Sequence, residues 1–181
     1  MANANKNKGD RGEREARDFL REHATDLIEH FAKSGYSTAD LDRKLGAGRA
    51  MDTGDIFGFG FDDMAVTIQV KAYKRQYLPR AISESAQGAY QQAMNAKAPP
   101  DFAVGLSIVE RARLTGTRWL ASTLTWPVDD EPVVVKTIPS AISHVLGTGG
   151  LALVRGIYVA PAHRWLDAMR QRIGLDTRVV S

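Results

Sequence analysis

An acidic residue, an amide and a lysine stand where two neighbouring strands can bring them together. Asp55 precedes one β-like run, and Gln69 and Lys71 close the next run along the chain. Because alternate residues of a strand point to the same side, Gln69 and Lys71 are expected to share a face. Oxygen ligands beside a lysine can hold a divalent cation and activate water, which is the chemistry that hydrolyses a phosphodiester bond.

Each residue of this segment has a distinct expected role. Asp55 is the best candidate metal ligand, Gln69 offers a neutral amide oxygen, and the backbone carbonyl of Val70 could also face the ion. Lys71 is expected to orient the attacking water or to neutralise the phosphate. Mg²⁺ is the expected cofactor and Mn²⁺ the expected substitute, because both prefer oxygen ligands.

Glu13 is a further candidate ligand, carried by a helix rather than a strand. Apolar residues at helical spacing predict a helix that starts at Asp10 and ends before Gly35. At about 100° per residue, Glu13 projects toward the apolar stripe and Glu15 falls off it. The alternative interpretation is that Glu13 only complements the helix dipole near the N-terminus.

Two basic segments flank the candidate acidic site. The net charge is only +3, so the distribution of charge matters more than the sum. Such flanking suits a polyanion such as DNA, and the alternative is ordinary solvated surface charge. The N-terminal segment also contains Lys6 and Arg17. The expected DNA contacts are Lys8, Arg11, Arg14, Arg43, Arg49, Lys74, Arg75 and Arg80.

Length and composition bound the architecture. A chain of 181 residues is long enough for one core, and the absence of cysteine excludes disulfides, Cys-based zinc sites and a cysteine nucleophile. No apolar run approaches the ~18 residues of a membrane span, so a cytoplasmic protein of a bacterial, archaeal or phage-infected cell is expected. We expect a mobile basic arm over residues 1–9 and one domain over 10–181, with a strand-helix elaboration over about 147–181.

The remaining periodicities predict an α/β fold with a mixed central β-sheet flanked by helices. Residues 56–61 and 64–70 predict a hairpin turned at Asp62-Asp63. Further along the chain we expect a helix after Pro79, strands at 102–109, 118–124 and 133–136, a helix at 138–146, a strand at 151–159 and a helix at 161–173.

In their order and spacing, these motifs resemble the PD-(D/E)xK nuclease superfamily, and within it the archaeal-type Holliday junction resolvases. The resemblance runs from Lys8 to about Lys97. The family's Lys-Gly pair and Glu-Arg-Glu helix start are matched by the segment 8–15, and its first-strand arginine and glycine loop by Arg43 and 45–48. Its metal aspartate is matched by Asp55, and its Glu-Val-Lys strand end by Gln69-Val70-Lys71.

The resemblance implies a restriction-endonuclease-like core and a Mg²⁺-dependent DNA endonuclease. Such an enzyme would resolve four-way junctions by paired cuts, as a homodimer, in recombination and repair. The implied catalytic residues are Glu13, Asp55, Gln69 and Lys71, and the implied phosphate contacts are Arg14 and Arg43. The chain departs from the family in lacking a proline before the aspartate and in carrying glutamine for glutamate, although related transposon-end nucleases use a Gln-x-Lys version.

Three other interpretations stay open. The chain could be another nuclease of the superfamily, of restriction, repair or transposon-end type. It could be a catalytically inactive DNA-binding module of the same fold, with Gln69 marking the lost ligand. It could also be a structural protein whose acids and lysines are only surface charges.

Overall fold

The computed structural model describes residues 4–33, 42–43, 56–57, 67–71, 75–95, 102–109 and 118–175. The described helices are α1 (Ala4–His23), α2 (Thr25–Lys33), α3 (Leu78–Asn95), α4 (Ile138–Thr148) and α5 (Ala162–Arg172), with a short 3₁₀ turn at Arg75–Tyr77. The described strands are β1 (Asp42–Arg43), β2 (Ile56–Phe57), β3 (Thr67–Lys71), β4 (Ala103–Ile108), β5 (Trp119–Thr123), β6 (Val133–Val134), β7 (Ala152–Val154) and β8 (Ile157–Pro161).

All of these strands join one mixed sheet. Their order is β1-β2-β3-β4-β5-β8-β7-β6, with parallel pairs at β3–β4 and β6–β7 and antiparallel pairs elsewhere. The predicted α/β class with a mixed sheet flanked by helices is therefore confirmed. Among the described helices, none is long and apolar enough to cross a membrane.

The helices cover both faces of the sheet. On one face, α1, α2 and α5 bury a large apolar cluster that includes Leu20, Ile68 and Trp165. On the other, α3 and α4 pack on Leu120, Val159 and their neighbours. Successive strand residues therefore face different helices, as the two-residue period of a strand requires.

The N-terminal helix differs from the expectation in two ways. It begins at Ala4, so residues 4–9, expected as part of a mobile arm, are helical. The helix then ends at His23, and α2 begins at Thr25 after the single non-helical residue Ala24. At the break the Thr25 hydroxyl donates to the Arg21 carbonyl at 2.6 Å, a local side-chain bond that competes with regular helix geometry.

The segment expected as one strand over 151–159 is a hairpin. Arg155 and Gly156 have φ of 49° and 77°, and two successive positive φ values make the tight turn that joins β7 to β8. Since β8 lies between β5 and β7, the C-terminal segment is an integral part of the sheet. Trp165, Leu166 and Met169 of α5 belong to the largest described core cluster.

Candidate functional site

The hairpin that was expected to assemble the site is paired as predicted. In the antiparallel pair β2–β3, Ile56 lies opposite Ile68. Ile56 is the residue after Asp55, and Ile68 is the residue before Gln69. Asp55 itself lies outside the described residues, as do Asp62 and Asp63 of the expected turn.

Gln69 is buried beneath α3. Its side chain is only 7% exposed, and its Oε1 accepts a short hydrogen bond from Nε2 of Gln92 on that helix. A Cβ at Gly88 would lie 3.3 Å from the same oxygen, so the missing side chain at Gly88 makes room for the amide. An amide oxygen has two lone pairs, and one of them is directed to Gln92.

Small polar residues let α3 approach the sheet closely beside Gln69. Gly105 of β4 is the register neighbour of Gln69, and a Cβ at Gly105 would lie 2.5 Å from the backbone carbon of Ser85. The Ser85 hydroxyl is 3.0 Å from that of Ser122 and 3.3 Å from that of Ser107. The buried hydroxyls satisfy one another where helix and sheet leave no room for larger side chains.

Lys71 lies on the same face of β3 as Gln69, at the end of the strand. It is the register neighbour of Ser107 and is partly exposed. Its neighbours in the strand, Ile68 and Val70, point to the opposite face and enter the cluster with α1. The strand span Thr67–Lys71 and its register agree with the predicted shared face of Gln69 and Lys71.

Glu13 lies on α1, which packs on the other face of the sheet. It is partly buried and lies one turn before Ala16, which packs in the cluster with Ile68 and Val70. Helix α1 also contacts β1 and β3. Glu13 and the Gln69 amide therefore belong to opposite faces of the sheet, so the described structure does not bring these two candidate ligands together.

Glu15 is held by ion pairs at the surface. Its two carboxylate oxygens accept from Arg11 and Arg118, each at 2.7 Å. Partial burial raises the pKa of Glu15, but the hydrogen bond from Arg11 and the charge of Arg118 outweigh it, so the pKa is lowered overall. The charge of Arg11, an expected DNA contact, is thus balanced locally.

The other expected DNA contacts fall into three groups. Arg14 and Arg80 are described and exposed, with Arg80 donating to Glu84 at 2.6 Å. Lys8, Arg43 and Arg75 lie in described elements, but their side chains lie outside the description. The remaining two, Arg49 and Lys74, lie outside the described residues altogether.

The donor chemistry suits a hard cation only in part. Within the described part of the chain, no three His, Asp or Glu side chains come together as a metal-binding group. The oxygen ligands that the described residues offer are the Glu13 carboxylate, the Gln69 amide and backbone carbonyls. These are ligands that Mg²⁺ accepts, and a complete set requires the Asp55 carboxylate.

Sequence reasoning missed the residues that hold Gln69 in place. Gln92 is 6% exposed and shares a helix face with Ser85 and Ala89, both fully buried. A polar residue on the buried stripe of an amphipathic helix was the available signal, because such residues require a hydrogen-bond partner. Gly88, one turn earlier, was the second signal.

Comparison with protein-family models, curated proteins and solved structures gave no match to this chain. The interpretation of the site therefore depends on its residues and on the geometry described above.

Proposed function

We propose that this protein is a Mg²⁺-dependent DNA endonuclease that resolves four-way junctions. In this proposal the sheet is a restriction-endonuclease-like core and the active form is a homodimer, since two opposed strands of a junction must be cut together. The observation that carries the proposal is the β2–β3 register. It pairs the residue after Asp55 with the residue before Gln69, beside a strand end that carries Lys71.

The proposed chemistry divides between ligands and a lysine. Asp55, the Gln69 side-chain amide and the Val70 backbone carbonyl would hold the cation, which when bound would supply charge stabilisation and an activated water. Glu13, which lies on the opposite face of the sheet, would join this set only by reaching around the end of β3. Lys71, partly exposed at the strand end, would orient that water or neutralise the phosphate. Arg14 and Arg43 would contact the DNA backbone.

A second candidate function is a non-catalytic DNA-binding module of the same fold. The burial of Gln69 and its hydrogen bond from Gln92 favour it, because an amide fixed in the core is a stable structural element without any metal. On this alternative, Lys71 contributes only affinity for phosphate. Another nuclease of the superfamily, cutting duplex or flap DNA, is the third outcome to test.

The first experiment is cleavage of a labelled four-way junction, with duplex, single-stranded and flap DNA of the same sequence in parallel. Mg²⁺, Mn²⁺ and EDTA are compared for the wild type, Asp55→Asn and a matched control, Asp129→Asn, which changes an exposed carboxylate far along the chain. We expect paired symmetric cuts in the junction, lost with EDTA and reduced at least about 100-fold in Asp55→Asn. Equal cutting by the two variants would contradict the role of Asp55.

Gln69→Glu separates the nuclease from the inactive module. The substitution adds a negative ligand, and the new carboxylate can still accept from Gln92. For a nuclease we expect the Mg²⁺ concentration needed for half-maximal cutting to fall. Cutting by Gln69→Glu but not by the wild type would instead identify the natural site as inactive. Cutting of duplex or flap DNA, but not of the junction, would indicate another type of nuclease in the superfamily.

A further inference from the structure

Helix α1 carries its surface charges on two separate flanks. At about 100° per residue, Arg14, Arg17 and Arg21 fall within about 60° of one another and form a basic flank. Glu15, Asp18 and Glu22 likewise form an acidic flank, and Arg11 falls among them on the wheel. The basic residues that are close together in the sequence therefore lie on different sides of the helix.

The acidic flank lies on the β5 side of α1, where Asp18 and Glu22 remain largely exposed. Together with Phe19 and His23 it lines a cleft of about 530 Å³ that Arg118, Trp119 and His163 close from β5 and α5. Arg11 and Arg118 neutralise Glu15 there. The negative charges of this flank would repel a phosphate backbone, so this flank is unfavourable for binding a polyanion.

The basic flank faces the other way. Since α1 lies over β1 and β3 and its acidic flank is directed toward β5, Arg14, Arg17 and Arg21 lie on the side of the β1–β2 edge. That edge contains Ile56, the residue that follows Asp55. On the wheel, Glu13 lies between the buried stripe and this flank.

We propose that Arg14, Arg17 and Arg21 form a track for the phosphodiester backbone of a DNA strand leading to the strand end of β3. Arg14 and Arg21 are exposed. Arg17 is partly exposed: its Nε is buried, and its Nη2 lies 3.4 Å from Asp18, at the limit of hydrogen-bond length. At about 1.5 Å rise per residue the track spans about 10 Å, the axial length of about three nucleotides. Arginine is the side chain best suited to phosphate because its guanidinium presents a planar fork of donors.

The track rests on the proposed function in one respect, that DNA is the ligand. The track is tested by measuring how the affinity for a four-way junction in EDTA depends on salt. All variants also carry Asp55→Asn, so that the DNA stays intact. Arg17→Gln/Arg21→Gln is compared with Arg11→Gln, which removes the same kind of charge from the same helix on its acidic flank.

We expect the double variant to reduce the slope of log affinity against log salt by about 2, and Arg11→Gln to leave it unchanged. Since Arg17 is partly buried, Arg21→Gln is also measured alone, with an expected reduction of about 1, and circular dichroism checks that each variant is folded. Equal slopes for Arg11→Gln and the double variant would overturn the track. Wild-type cleavage with equal slopes would reject the track and keep the nuclease, whereas a reduced slope without wild-type cleavage would keep the track and reject the nuclease.

Discussion

The two faces of the sheet are built in different ways. The face toward α1, α2 and α5 is filled by large apolar side chains, including Trp119 and Trp165. The Arg170–Asp26 ion pair joins α5 to α2 beside them. On the other face, the gap between α3 and strands β3 and β4 is narrow. Gly105 and Ser85 are small enough to fit there, and Ser85 and Gln69 make hydrogen bonds in place of apolar contacts. Gln69 and Lys71, the described candidate site residues of β3, therefore lie on the face where α3 packs closely on the sheet through polar contacts.

The largest effect on stability is expected at Gly105, where α3 lies too close to β4 for an added methyl group. Gly105→Ala places a Cβ 2.5 Å from the backbone carbon of Ser85, and backbone cannot move aside as a flexible side chain can. We expect the free energy of unfolding to fall by about 3 kcal/mol, measured by urea denaturation.

Gly147→Ala in α4 is the matched control. A Cβ there meets nothing within 4 Å, so the helix should gain about 0.5 kcal/mol from the loss of glycine flexibility. Similar effects of the two substitutions would show that α3 is not packed tightly on β4.

A smaller effect is expected from the amide pair of the same face. Gln92→Leu removes the donor to Gln69 and leaves a buried oxygen without that bond, at a cost of about 2 kcal/mol. The double variant Gln69→Leu/Gln92→Leu should recover much of the loss, so that a double-mutant cycle by thermal unfolding gives a positive coupling.

Gln91→Leu, at an exposed position of the same helix, is expected to change stability little. Independent, additive losses for Gln69 and Gln92 would contradict the pairing of the two amides.

The smallest effect is expected at the ion pair that joins α5 to α2. Arg170 of α5 donates to both oxygens of Asp26 at 2.6 and 2.8 Å, to Asp167 at 2.8 Å and to the His23 carbonyl at 2.6 Å. Because the Asp26 side chain is 36% exposed and that of Asp167 is 57% exposed, Arg170→Met should cost only about 1 kcal/mol at pH 7.

The pH dependence of this contribution has a definite sign. The hydrogen bond from Arg170 lowers the pKa of Asp26 below its ordinary value of 3.8, so the stabilisation is complete above pH 3.8 and is lost as the pH falls through the lower, folded value. Urea unfolding of the wild type and Arg170→Met at decreasing pH should therefore converge in acid. Arg172→Met, on the exposed side of α5, is the control, and a difference that persists unchanged in acid would contradict the assigned cause.

Sequence patterns predicted the local elements well where one period dominated. The helix after Pro79, the buried strand at 102–109 and the final helix are confirmed by α3, β4 and α5, because burial of one stripe or of a whole strand leaves a strong signature. The turn at Arg155-Gly156 was missed, since an apolar residue on each side made two short strands look like one.

The amino-acid sequence by itself determined which side chains are candidates for chemistry and which of them share a strand face. Asp55, Gln69, Lys71 and Glu13 were predicted as site residues from type and spacing, and strand alternation placed Gln69 with Lys71. Tertiary structure decided what each side chain touches. Only the packing of α3 on β4 could bury Gln69 against Gln92, and only the position of α1 over β1 and β3 could direct Arg14, Arg17 and Arg21 toward the β1–β2 edge. The physical reason is that periodicity fixes directions within one element, whereas contacts between elements depend on which faces the sheet order brings together.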